Sequence, residues 1–147
     1  MQIAETFVVS RPPEAVFDYV TDPTRLVDWQ TSKTAVQQLG DGPVGPGSRF
    51  RERTKPRGAR EFEQITEFTV FERPRQLRVH VVEGPQPIDG TWTFYADPRG
   101  TRVSFVAEGE LRGPLRLLSP LVARVMARQF AVYHRTLRAN LERVPAL

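Results

Sequence analysis

The chain has no cysteine. Disulfide bridges and thiolate nucleophiles are thereby excluded, and a reducing, cytoplasmic compartment fits. Histidine is nearly as scarce, with only His80 and His134. Neither stands at metal-ligand spacing from another histidine or carboxylate, so no metal site is expected. No apolar run approaches the roughly 20 residues that a membrane-spanning helix needs. The opening residues, MQIAETFVVS, lack a basic start and a long apolar stretch, so no signal peptide is expected. KPRG and DGPVGPG contain glycines, but neither has the spacing of a phosphate loop or a dinucleotide turn. No Ser/His/Asp set is evident. Lysine plus arginine number 21 against 17 aspartate plus glutamate, a net charge of +4 carried almost wholly by arginine. Without a dense basic cluster interleaved with aromatics, no nucleic-acid partner is expected.

What remains is a globular composition, 39% hydrophobic and 26% charged over 147 residues, the size of one domain with a proper core. The periodicity changes along it. QIAETFVVS alternates Ile3, Glu5, Phe7 and Val9 against Gln2, Ala4, Thr6 and Val8 and predicts a strand. Ser10 is placed to cap a following helix with Pro12, Pro13 and Glu14 in its first turn and Val16, Phe17 and Val20 as its stripe. Asp22-Pro23 ends it and begins a shorter helix carrying Leu26, Val27 and Trp29. From residue 33 to about 111 the period is two, with strands separated by turns dense in glycine and proline. The last stretch, from Arg112 to Glu142, repeats at three and four residues: Leu118, Leu121, Val122, Val125, Met126, Phe130, Tyr133, Leu137 and Leu141. This predicts a long amphipathic helix, kinked or restarted at Pro120, with its arginine side a solvated face.

Short turns between strands imply an antiparallel meander with one covered face, and the terminal helix is long enough to lie across it. The expected fold class is therefore α+β, a curved antiparallel sheet of about seven strands wrapped on a long C-terminal helix, with two short helices after the first strand. On the dry face of REFEQITEF, Gln64 and Thr66 stand between Phe62 and Phe68. A solid core has little use for an unpartnered amide and hydroxyl, each costing about 1–3 kcal/mol. A sheet enclosing a ligand has a use for them.

At these residues the chain resembles a known group. The opening strand with PPEAVFDYVTDPTRLVDWQ, the turn GPVGPGSRFRE, the segment FTVFERPRQL and the hairpin TWTFYADPRGTRVSF are similar to the START/Bet v 1-like superfamily. Within it the likeness is particularly to bacterial polyketide cyclase/dehydrase-like (SRPBCC) proteins. That resemblance implies a helix-grip fold over residues 1–147 with an apolar cavity between sheet and last helix. It also implies a small hydrophobic partner, lipid or polyketide-like; no cofactor is expected. The expected lining is Phe50, Phe62, Gln64, Thr66, Phe68, Val79, Trp92, Phe94, Phe105, Val122, Met126 and Phe130.

Two residues are candidates for moving a proton, should the cavity host a cyclase or dehydratase. Glu52 shares a face with Phe50 and is either wet at the rim, paired with an arginine, or an enclosed general acid–base. Tyr133 lies on the helix stripe and is either a core phenol or catalytic. His134 falls at the stripe's margin, and His80 points to solvent. A partner-binding role through the convex face is the third class, weakened because Val8, Ile65 and Val82 are spread among charges. Membrane contact is not expected, and the chain is read as a monomer or homodimer.

Overall fold

The computed structural model describes residues 1–143. Seven antiparallel strands form one sheet: β1 (Gln2–Val9), β2 (Lys33–Leu39), β3 (Arg49–Thr54), β4 (Phe62–Glu72), β5 (Gln76–Glu83), β6 (Ile88–Asp97) and β7 (Gly100–Gly109). Their spatial order is β1-β7-β6-β5-β4-β3-β2. Strands β2 to β7 are thus an unbroken meander, and β1 closes onto β7. Helices α1 (Pro13–Val20) and α2 (Leu26–Trp29) follow β1, and a 3₁₀ segment (Gly113–Leu118) leads into α3 (Ser119–Arg143). The fold is α+β, a curved sheet gripping a long C-terminal helix.

Alternation decides which residues meet on the concave face. Cα partners share a face, so Glu52 lies beside Gln64, Phe50 beside Thr66, and Trp92 beside Phe105. The floor of the core is aromatic. Phe17 of α1 meets Phe71 and Phe94 edge-on, at centroid distances of 5.1 and 5.6 Å, and Phe68 lies between Phe50 and Phe71. Burying each such ring contributes about 1.5–3 kcal/mol.

Three local features depart from what simple periodicity and capping patterns suggest. Phe71 reaches the core because the β4–β5 pairing shifts register between Phe68 and Val70. That bulge turns both Phe68 and Phe71 inward, although strict alternation separates them. Ser10 does not cap α1, whose N-cap is Pro12 with no side-chain hydrogen bond. Instead its amide and hydroxyl both donate to Glu142 Oε2 at 2.8 Å, tying the β1–α1 turn to the end of α3. The third concerns α3 itself. Tyr133, His134, Leu137 and Leu141 are buried, while the 3₁₀ segment buries nothing and Leu118, Leu121 and Val125 are exposed. The helix restarts beside Pro120, and all its fully buried residues lie in its C-terminal half. That half is also tied down by Asn140 donating to the Tyr19 hydroxyl and the Asp28 carbonyl, each at 3.0 Å. Ala123, Met126 and Phe130 of the first half are packed on the core but only partly buried.

Candidate functional site

Two polar constellations interrupt the apolar concave side. The first is centred on Glu52 of β3, which is 4% exposed. Its Oε1 accepts from Lys33 Nζ at 2.6 Å and Gln64 Nε2 at 3.2 Å, and its Oε2 accepts from the Thr66 hydroxyl at 2.7 Å. Of the readings open for Glu52, enclosure is the observed one. The cation beside it is lysine rather than arginine, and the Lys33 side chain is itself only 10% exposed. Period-two reasoning missed Lys33 because a register shift between Lys33 and Ala35 puts it opposite Thr54, on the same face as Val36, three residues on. The scarcity of lysine in an arginine-rich chain was the available signal. A flexible stem and compact ammonium fit a narrow gap that a planar guanidinium does not. Beside this cluster, the Thr54 hydroxyl is buried with no hydrogen-bond partner among the described residues.

The second constellation joins β1, β6 and α3. His134 is 1% exposed, stacks on Phe7 and accepts from Trp92 Nε1 at 3.1 Å through its Nε2. Nε2 therefore carries the lone pair, and the Nδ1 hydrogen is directed at Glu5 Oε1, 2.5 Å away. Burial lowers the His134 pKa, with Glu5 opposing the shift. A partly open recess of about 230 Å³ adjoins this relay, lined by Ile3, Ala4, Glu5, Phe105, Ala127, Phe130 and Ala131. Glu5 is its ionisable wall. A carboxylate among Ile3, Phe7 and Val9 was the sign that sequence reasoning passed over.

Of the residues expected to line a cavity, Phe105 and Phe130 face this recess. Phe50, Phe68 and Phe94 lie ring against ring in the core beneath α1, and Trp92 packs on Phe105 while holding His134. Thr66 is buried on Glu52. Phe62, Gln64, Val79, Val122 and Met126 are only half-buried, so the concave side is incompletely covered along β4, β5 and the first half of α3. Tyr133 is enclosed against Ser32 and Gln129; burial raises its phenol pKa, and those hydrogen bonds oppose the rise. No hydrogen bond joins Tyr133 to Glu52 among the described residues, although its partner Ser32 precedes Lys33, which holds Glu52. His80 lies on the convex face in contact with Asp89, which also receives Arg78. A second recess of about 290 Å³ lies between the β5–β6 turn and Arg112, lined in part by Val81, Glu83 and Pro87.

Residues 1–144 match the family described as polyketide cyclase / dehydrase and lipid transport. The chain belongs to this family. Among solved structures it is similar to the protein TTHA0849 from Thermus thermophilus, with 21% identity, a TM-score of 0.84, and coverage of 99% of this chain and 100% of that one. A START superfamily protein from Mycobacterium smegmatis has 15% identity, a TM-score of 0.83, and coverage of 98% and 99%. Ara h 8.0201 has 9% identity, a TM-score of 0.75, and coverage of 98% and 99%. At such identities the likeness establishes the fold. No curated protein matches the sequence.

Proposed function

We propose that this family member acts as a single domain that binds a small hydrophobic or amphipathic molecule, lipid or polyketide-like, between the sheet and α3. The carrying observation is the apolar recess at the β1–α3 seam, whose one ionisable wall is Glu5. Apolar lining with a few placed polar groups is the usual composition of a small-molecule site. At about 230 Å³ the recess is smaller than the roughly 300–1,000 Å³ of such sites. A larger guest therefore requires the first half of α3 to move outward. That half contributes no fully buried residue, whereas the second half is pinned through Ser10 and Asn140. Gln64 and the unpartnered Thr54 hydroxyl are then available to the polar end of a deeper guest.

A cyclase or dehydratase role in the same space is the second reading, favoured by the sequestration of Glu52 beside Gln64. Binding without chemistry is the better supported of the two. Three of the roughly four lone-pair positions on the Glu52 carboxylate already accept hydrogen bonds, and both ring nitrogens of His134 are engaged. A general base needs a lone pair within reach of the proton it removes.

The test is native mass spectrometry and thermal shift against fatty acids, sterols and aromatic polyketides, with Ala127→Phe and Ala131→Phe as blocking variants. Bound ligand whose affinity falls about tenfold or more in these variants is the expected result. Absence of binding across the panel, or affinity indifferent to the block, overturns the reading. Turnover abolished in Glu52→Gln with binding intact transfers the assignment to the enzyme.

A further inference from the structure

The outward side of the C-terminal helix carries a feature that ligand binding does not use. Leu117 is 82% exposed, Leu118 50%, Leu121 56% and Val125 59%, and Val132 continues the same stripe. At 3.6 residues per turn, Leu121, Val125, Arg128 and Val132 fall on one face, with Leu118, Arg124 and Arg135 flanking it. This is a second apolar stripe, separate from the inward one of Tyr133, Leu137 and Leu141. It departs from the solvated arginine face that the sequence suggests.

The charges beside it are not balanced locally. On the central strands several arginines are matched by carboxylates, Arg49 with Glu67, Arg51 with Glu63 and Arg78 with Asp89, while Arg102 lies over the Tyr95 ring. Among the described residues, Arg116, Arg124, Arg128 and Arg135 have no ion-pair partner, and no aspartate or glutamate occurs between Leu111 and Leu141. Exposed leucines set among uncompensated cations form the interfacial pattern, in which apolar side chains enter the acyl boundary and cations meet lipid phosphates.

We propose that the 3₁₀ segment and the first half of α3 form a docking surface for an anionic lipid bilayer. Charge selects this occupant over a second copy of the chain. A twofold pairing through the patch sets arginines against arginines with no carboxylate between them, whereas an anionic leaflet neutralises all four. The inference concerns the outward face of α3 and goes beyond the ligand assignment. Loss of one leaves the other standing.

Vesicle co-sedimentation tests it, using phosphatidylcholine alone and phosphatidylcholine with phosphatidylglycerol. The variants are Leu117→Ser/Leu121→Ser and Arg124→Gln/Arg128→Gln, with size-exclusion light scattering in parallel. Binding is expected only to the phosphatidylglycerol vesicles. Each lost arginine should weaken it about fivefold, and added salt should weaken it further. The leucine variant should also lose binding, and both variants should keep the wild-type melting temperature, since these side chains are exposed. Failure of the wild type to bind anionic vesicles overturns the proposal, as does undiminished binding by either variant. A dimer that the leucine variant dissolves overturns it in favour of self-association.

Discussion

Replacing Lys33 by Met tests how dry the space behind Glu52 is. The substitution keeps the length of the stem and removes the ammonium 2.6 Å from Oε1, leaving Gln64 and Thr66 as the carboxylate's donors. Both charged side chains are nearly enclosed, at 10% and 5% exposure, so surface screening does not soften the loss. Removing one partner of a buried pair typically costs about 3–5 kcal/mol, because the remaining charge has been taken from water without compensation. For a chain of this length that corresponds to a melting temperature lower by about 6–20 °C. The double variant Lys33→Met/Glu52→Gln removes both charges and should recover most of the loss, since paired replacement of buried ions is often close to neutral. Urea unfolding of the wild type, both single variants and the double variant closes the cycle. A Lys33→Met loss below about 1 kcal/mol, the range of a solvated pair, would refute the enclosed-pair argument.

Other outcomes follow from single groups. His134 has its pKa lowered by burial from the ordinary 6.5, so the unfolded chain takes up its proton first. Its contribution should be complete above about pH 6.5 and be lost as pH falls through the lower folded value. Urea midpoints from pH 8 to 5 should therefore decline, and the decline should flatten in His134→Gln; a midpoint that rises on acidification contradicts the assignment. Gly100 has φ +129°, and a Cβ there would collide with the Val9 carbonyl oxygen and meet the Arg11 nitrogen at 2.7 Å. Gly100→Ala should cost at least about 1–3 kcal/mol by chemical denaturation, and an unchanged midpoint would mean the hairpin relaxes freely. Thr54→Val deletes a buried, unpartnered hydroxyl while keeping its shape, so stability should hold or rise by about 1 kcal/mol. A clear loss would reveal a partner for that hydroxyl.

The order of elements was legible because each has a local cause. Period-two alternation marks strands such as TRVSFVAEG, glycine and proline mark the turns, and a spacing of three to four marks α3. The first strand, expected over QIAETFVVS, is observed over Gln2–Val9, and the period-two region from 33 to about 111 holds the other six strands, from Lys33–Leu39 to Gly100–Gly109. The polar pair Gln64 and Thr66 was legible for the same reason, as an exception to an otherwise apolar face. Lys33 and Phe71 were hidden, because a bulge in each pairing breaks the count that reveals a face. The outward exposure of Leu121 and Val125 was hidden too, since helical spacing shows a stripe but not how much of it finds a partner.

Sequence alone therefore determined the architecture and the family, both of which rest on patterns between near neighbours. Only the tertiary structure decided which exceptions to those patterns meet. Glu52 receives Lys33 from the neighbouring strand, and His134 receives Glu5 from 129 residues away. Such meetings depend on register, sheet curvature and the seating of α3 over β1. Each is settled by packing the whole chain at once, and none leaves a periodic trace in the residues that take part.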